Sequence, residues 1–196
     1  MRKTCAVLCV IVSFCVCACC AFAQSGPVQG GHELELWSGG GHSISGGVGN
    51  TGVWNVGLRY GWILTDAHGP FLLRGRFEYA VDVVPAFLIF QPSGTAYGFD
   101  LEPIALKWNF EERRRVVPYA ELSGGVLFTN HQVPAGISRV NFASGGAAGF
   151  HFLRQKYNWS AEIRFLHISD AGLTTLNPGI NTIEGRIGFG IFTQRK

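Results

Sequence analysis

A histidine and a serine two residues apart are the side chains of this sequence best suited to covalent chemistry. His167 and Ser169 stand at the end of an apolar, strand-like stretch. In a β-strand, residues i and i+2 point to the same face, so the imidazole and the hydroxyl would lie side by side. A base beside a hydroxyl is the minimum that a serine hydrolase needs. By itself the pair is a weak motif, because two ordinary polar residues at the rim of a sheet would look the same.

The segments that must position this pair are predicted to be β-strands. Eight apolar or alternating segments are separated by turn-forming residues. They fall near residues 32–43, 51–64, 70–84, 97–110, 115–129, 139–154, 157–169 and 182–193. Residues 132–138 are the one candidate for a short helix. The sequence therefore predicts a single all-β domain over 32–196, preceded by a flexible segment at 24–31.

Alternation within these segments separates apolar from charged side chains. In segment 157–169 the apolar parity holds Trp159, Ala161, Ile163 and Phe165, and the other holds Ser160, Glu162 and Arg164. Across the segments, the charged parity matches Arg59, Arg74, Arg76, Arg164 and Arg186 against Glu78, Asp82, Glu121, Glu162 and Glu184. Only Lys107 adds a lysine. Trp62, Trp108, Trp159 and Tyr119 lie near segment ends, as the aromatic girdles of membrane proteins do.

A soluble, lipocalin-like barrel would bury the apolar set, whereas a membrane barrel turns it toward lipid. The matched arginines and carboxylates favour the membrane barrel, because buried charges must be paired. Glycines on the charged parity leave room for long arginines in a narrow lumen. We therefore predict an eight-stranded antiparallel transmembrane β-barrel with an apolar exterior and a charged, filled interior. A secreted lipocalin-like binder is the soluble alternative.

Three local assignments follow from parity. Asp100 and Glu102 share parity with apolar residues, and Pro103 interrupts the segment, so we expect a β-bulge there. Glu184 is expected in the lumen, paired with Arg186. His151 is expected in the lumen as well.

The N-terminus has the pattern of an export signal. Residues 1–23 combine a basic start, a long apolar stretch and the cleavage pattern Ala21-Phe22-Ala23. An uncleaved anchor and a lipoprotein linked at Cys19 or Cys20 are the alternatives. All six cysteines lie inside this segment, so the rest of the chain has no thiol for catalysis, disulfides or metal binding. Without Arg2 and Lys3 the chain has 14 basic against 13 acidic residues, and this near-neutral balance argues against nucleic acid as a partner. We expect no metal and no cofactor.

Strand direction predicts where the His167–Ser169 pair lies. With both termini in the periplasm, the seventh segment runs outward, so the pair ends at the outer rim. Its parity is that of Phe165, which places it on the lipid-facing side, level with the headgroups of the outer leaflet. Polar groups are costly there unless they are used.

The run from His167 to Gly172, followed by Asn177-Pro178-Gly179, resembles the outer-membrane lipid A 3-O-deacylases of the PagL type. That family carries His-x-Ser-Asn-Ala-Gly and then a short loop rich in Asn, Pro and Gly. A looser similarity extends over most of the chain and includes residues 73–79 and 97–103. The resemblance implies an eight-stranded barrel in the cell outer membrane with a lipid-facing site. Its substrate would be lipid A of lipopolysaccharide, from which it would remove a 3-linked hydroxyacyl chain.

Carried over to this chain, the resemblance implies that Ser169 attacks the ester and that His167 takes its proton. Asn181 stands where the family has the glutamate that orients the histidine, and its parity puts it on the same face. Asp170 stands where the family has an asparagine that helps to bind the oxyanion. The oxyanion would then depend on backbone N–H groups such as that of Gly172.

These two departures leave a second function open. A barrel of the same architecture could serve a structural or adhesive role in the outer membrane, with a degenerate site. The sequence also leaves open the acyl-chain preference, any regulation and whether the barrel forms a homodimer.

Overall fold

The structure, a computed structural model, describes residues 23–24 and 26–193. It contains β1 (Ala23–Gln24), β2 (His32–Ser43), β3 (Gly52–Ile63), β4 (Gly75–Gln91), β5 (Gly94–Phe110), β6 (Val116–Val133), β7 (Ser138–Leu153), β8 (Asn158–Ser169) and β9 (Ile180–Thr193), with a short 3-10 turn at Phe71–Leu73. Among these residues, no helix is long and apolar enough to cross a membrane. The predicted signal peptide lies outside the described residues apart from Ala23.

The eight long strands, β2 to β9, close into an antiparallel barrel. Each pairs with the next along the chain, and β9 pairs with both β8 and β2. The two-residue strand β1 adds to the end of β9, where Gln24 faces Phe192. In the segment expected to be flexible, the Gly30 N–H donates to the Ile63 carbonyl at 2.9 Å. Its mobility stays a prediction.

Two assignments of secondary structure were wrong. The predicted segments near 70–84 and 97–110 form β4 and β5, but these strands reach Gln91 and Gly94 and meet in a tight turn. Pro85 does not end β4, because it lies at a bulge between Val84 and Phe87, where no regular ladder bond is lost. The candidate helix at 132–138 is instead the end of β6, a turn at 134–137 and the first residue of β7.

The two faces of the barrel have the predicted inversion. On β8, Trp159 and Phe165 are 48% and 40% exposed, whereas Arg164 is 1% exposed. The apolar side chains therefore cover the outside, and the charged ones fill the lumen. Tyr119 was predicted to belong to an outer aromatic girdle, and this was wrong. Its side chain points inward, and its hydroxyl donates to Glu162 at 3.0 Å.

The lumen holds a charged layer between two apolar clusters. One cluster, including Trp37 and Phe87, fills the end near Ser169. The other closes the end near the chain termini and consists of Ile63, Val117, Leu153 and Phe192. The apolar clusters confine the buried charges to the middle of the barrel.

The predicted even balance of lumen charges was wrong. The buried lumen acids are Glu33, Glu35, Glu78, Asp82, Asp100, Glu102, Glu121, Glu162 and Glu184, and the buried bases are Arg59, Lys107, Arg164 and Arg186. Arg74 lies in the loop before β4 rather than in the lumen, and it pairs with exposed Glu111. The predicted bulge at Pro103 is present, and it turns Asp100 and Glu102 inward. The described lumen thus contains more acids than bases.

Candidate active site

The end of β8 brings His167 and Ser169 together on the outer face. His167 Nε2 lies 2.9 Å from Ser169 Oγ, a hydrogen-bonding distance. Both follow the parity of exposed Phe165, so the pair sits outside the charged lumen. On the neighbouring strand β7, Ser144 pairs with His167 and Phe142 pairs with Ser169. On β7 the pair therefore has one polar and one apolar neighbour.

Asn181 on β9 completes a chain of three side chains. It faces His167 in the strand register, and its Oδ1 lies 2.6 Å from His167 Nδ1. An amide oxygen can only accept, so Nδ1 must carry the proton. Nε2 is then unprotonated and accepts the Ser169 hydroxyl hydrogen. The neutral asparagine thus selects the tautomer that a general base requires.

The loop between β2 and β3 supports Asn181, a contribution that the sequence did not reveal. The Ile44 N–H donates to the Asn181 carbonyl at 2.8 Å, and the Val48 N–H donates to the Gly179 carbonyl at 2.8 Å. The Asn181 side-chain nitrogen also points at the Ser45 carbonyl, at a long 3.5 Å. Because a carbonyl accepts but cannot donate, it favours the amide orientation that turns Oδ1 toward His167.

The backbone of Gly179 lies close to the His167 ring. Its φ is +60°, in the left-handed region, and a Cβ built there would stand 2.8 Å from His167 Cε1. A side chain would therefore be strained and would push the imidazole. The run Asn177-Pro178-Gly179 was predicted as a turn, and this residue adds a steric reason for its glycine.

Asp170 organises the loop that follows Ser169. Its carboxylate accepts hydrogen bonds from the Gly172 N–H at 3.0 Å and from the N–H and hydroxyl of Thr174. With its amide turned to satisfy both atoms, Asn177 donates to Asp170 at 2.9 Å. The hydroxyl of Thr174 is the main cause that holds the pKa of Asp170 below its ordinary value, helped by the backbone N–H groups.

This arrangement changes what the predicted oxyanion residues can do. The Gly172 N–H, expected to face a developing oxyanion, is directed at the Asp170 carboxylate. Asp170 does not contact His167 in any described hydrogen bond; it ties the loop instead. Ser169 is only 6% exposed, so an ester must enter beneath or beside this loop. Leu173 and Leu176 on the loop are strongly exposed.

Comparisons with known proteins bear on this site and on the barrel. Residues 54–190 match the family model of lipid A 3-O-deacylase (PagL). The chain is similar to the crystal structure of the outer membrane enzyme PagL, with a TM-score of 0.60 and 18% identity, over 79% of this chain and 97% of that one. No curated protein sequence matches the chain significantly.

Two further solved structures are similar to the barrel. The outer membrane protein OprG from Pseudomonas aeruginosa gives a TM-score of 0.53 at 10% identity, over 88% of this chain and 99% of that one. Neisserial surface protein A gives 0.53 at 13% identity, over 87% and 100%. At these identities the structures show the fold alone. The family match, by contrast, spans the strands that carry His167, Ser169 and Asn181.

Proposed function

The chain belongs to the lipid A 3-O-deacylase (PagL) family, and we propose that it is an outer-membrane serine esterase that removes an ester-linked 3-O-acyl chain from lipid A. The observation that carries this proposal is the hydrogen-bonded series Ser169–His167–Asn181 on the outer face of the barrel. Lipid A is the ester-bearing lipid whose linkages would lie beside such a face in the outer leaflet.

The geometry supports a two-step acyl transfer. Ser169 Oγ attacks the ester carbonyl carbon as its proton passes to His167 Nε2. The tetrahedral intermediate collapses, and the sugar oxygen leaves with that proton. Water then attacks the acyl-serine and gives a proton to the same nitrogen. As this second intermediate collapses, that proton passes to Ser169 Oγ and the fatty acid is released. Asn181 remains on Nδ1–H throughout and keeps the ring in place.

Stabilising the oxyanion requires a change in the loop. The carboxylate of Asp170 would repel developing negative charge, and it holds the Gly172 N–H. We infer that binding of the ester draws this N–H away from Asp170 and toward the carbonyl oxygen. The loss of one oxyanion donor typically costs about 10²–10³ in rate. This exchange would therefore govern how fast the enzyme turns over.

The same observation favours a second candidate, a barrel without catalysis. A site whose Gly172 N–H is engaged and whose histidine is oriented by a neutral amide could be a degenerate esterase site. In that case the protein would serve a structural or adhesive role in the outer membrane. The two candidates share the fold and differ only in whether lipid A changes.

Mass spectrometry of lipid A separates the candidates. Cells whose lipid A carries a 3-O-hydroxyacyl chain would express the protein, Ser169→Ala or Ser144→Ala. Ser144 also faces outward and lies opposite His167, so it is a matched control. We expect loss of one 3-linked chain with the wild type and Ser144→Ala, and intact lipid A with Ser169→Ala. Intact lipid A beside a correctly folded wild-type barrel would favour the structural role.

A further inference from the structure

Three buried side chains converge inside the barrel, far from the exterior site. Glu33 and Glu35 lie on β2 and His151 lies on β7. One oxygen of each carboxylate and one imidazole nitrogen all lie within 4.8 Å of one another. Each residue is at most 4% exposed. Among the residues that the structure describes, this is the one grouping of three potential metal ligands.

Two atoms of this cluster have no hydrogen-bond partner. They are Glu33 Oε1 and His151 Nε2, both fully buried and 3.5 Å apart. With the Asn158 amide oriented as in this structure, its Oδ1 lies 3.1 Å from His151 Nδ1, and this orientation puts the ring proton on Nδ1 and leaves a lone pair on Nε2. A carboxylate oxygen and an imidazole lone pair that face each other repel unless a cation lies between them.

The remaining atoms of the three residues are held by other side chains. Lys107 Nζ donates to Glu33 Oε2 at 2.5 Å, and the Ser160 hydroxyl donates to Glu35 Oε1. Together with Asn158 on His151, these contacts orient each ligand from behind. Such outer partners accompany metal-binding histidines and carboxylates in proteins.

The charge around the cluster is also unbalanced. Lys107 is shared between Glu33 and Glu78, and Arg59 is fully engaged by Asp82 and Glu121. Among the described residues no base forms a direct ion pair with Glu35, although Arg59 and Arg186 line the same small cavity. An added divalent cation would offset the local excess of carboxylates, which is otherwise costly in a dry interior.

We propose that Glu33, Glu35 and His151 hold a structural divalent metal ion, with Zn²⁺ the best match. One nitrogen and two carboxylate oxygens suit zinc, which takes a fourth ligand to become tetrahedral. Of the three proposed ligands only Glu35 borders a cavity of about 10 Å³, which Ser160, Arg59 and Arg186 also line and which has room for one water molecule. The sequence predicted no metal, because it did not show that β2 and β7 meet here.

The metal would stabilise the barrel and take no part in ester cleavage. The apolar cluster at the terminal end includes Phe192 and closes the lumen just beyond His151. The ring centroids of His151 and Phe192 are 5.3 Å apart. The ion would therefore enter as the barrel folds and exchange slowly afterwards. Its binding free energy would add to that of folding.

Metal analysis of refolded protein tests the proposal. Tag-free barrel refolded in detergent with Zn²⁺, then passed over a chelating resin, should retain about one zinc per folded molecule. Glu35→Gln and His151→Asn should retain less than about a tenth of that amount. Glu184→Gln removes another buried lumen acid outside the cluster and should keep the metal. Zinc-free folded wild type, or variants that retain zinc, would overturn the proposal.

A second measurement needs no variant. Wild type refolded with Co²⁺ should show visible d–d absorption bands of a four-coordinate N/O site, and Zn²⁺ during refolding should raise the unfolding temperature relative to EDTA. If no such bands appear and EDTA changes nothing, the carboxylates share a proton instead and the site holds no metal. Folding is checked by the mobility of unheated protein on gels.

Discussion

Two histidines of this barrel are held alike but face different partners. His167 directs Nδ1 at Asn181 Oδ1 at 2.6 Å, and His151 directs Nδ1 at Asn158 Oδ1 at 3.1 Å. Each asparagine lies near the start of the strand that follows its histidine in the chain. In both cases the amide oxygen fixes the proton on Nδ1, so Nε2 presents a lone pair.

The face of the sheet decides what that lone pair meets. On the outside, Nε2 of His167 meets the Ser169 hydroxyl at 2.9 Å. Inside, Nε2 of His151 meets Glu33, and the neighbours are carboxylates. The same histidine–asparagine pair therefore supports a general base on one side of the wall and a metal ligand on the other. Successive residues of a strand point to opposite faces of the sheet, so a shift of one position along a strand would exchange the two environments.

Replacing each histidine by asparagine is expected to produce the largest contrast. His167→Asn removes the base, so ester cleavage should fall by about a thousandfold or more, since serine hydrolases lose that much without a triad member. Its zinc content should not change. His151→Asn should lose the zinc and unfold at a lower temperature. Lipid A mass spectrometry, metal analysis and thermal unfolding of both variants check this. If His151→Asn abolished cleavage as fully as His167→Asn, the two sites would not be independent.

A smaller loss is expected from crowding the outer histidine. Gly179→Ala places a methyl group against His167 Cε1 and forces alanine into left-handed backbone. A displaced base should lower the rate by about tenfold to a hundredfold, because small errors in position are costly in catalysis. Gly185→Ala on β9 is the control, since its added Cβ meets open space. Equal rates for both variants would show that the approach of Gly179 does not matter.

Strand parity predicted that His167, Ser169 and Asn181 share a face, and their side chains do lie together, while their catalytic roles stay predictions. It placed His167, Ser169 and Asn181 on the outer face, because β8 and β9 alternate without interruption. It could not show that Ser45 and its loop support Asn181, since that contact spans 136 positions in the chain and exists only because the barrel closes between β2 and β9.

The lumen was harder to predict, because irregular strands hide parity. Asp100 and Glu102 point inward only because the bulge at Pro103 shifts the alternation. In β2, Ser38 and three consecutive glycines follow Trp37, which leaves little alternation to define a face. The inward position of Glu33 and Glu35 was therefore not predicted. His151 was correctly placed in the lumen, but its partners lie on that unassigned strand. The count of lumen charges was therefore wrong, and the acid cluster was missed.

The same substitution at the two asparagines sharpens the comparison further. Asn181→Asp is isosteric and gives His167 a charged acceptor, worth about 1 kcal/mol more than a neutral one, so cleavage should accelerate about fivefold. Asn158→Asp instead adds an acid to a lumen already rich in acids and should lower the unfolding temperature. The rate and the unfolding temperature of both variants are the measurements. A slower Asn181→Asp enzyme would mean that the neutral amide is required.

The smallest expected effect concerns acid. The hydrogen bonds from Thr174 and Gly172 depress the pKa of Asp170 below its ordinary 3.8. A depressed carboxyl pKa stabilises the folded loop above that ordinary value, and the stabilisation is lost as the pH falls through the folded pKa. Hydrogen exchange of residues 171–178, corrected for intrinsic rates, should therefore show protection that declines below about pH 4.

Asp170→Asn should remove that decline, because the amide does not titrate. The amides of β7 around Gly146 serve as the internal reference, since they are paired on both sides within the barrel wall and lie away from the proposed metal ligands. If the reference amides lost protection over the same pH range, the change would be unfolding of the whole barrel. In that case the titration of Asp170 would not act on the loop next to Ser169 separately. The exterior site would then be no more sensitive to acid than the rest of the barrel.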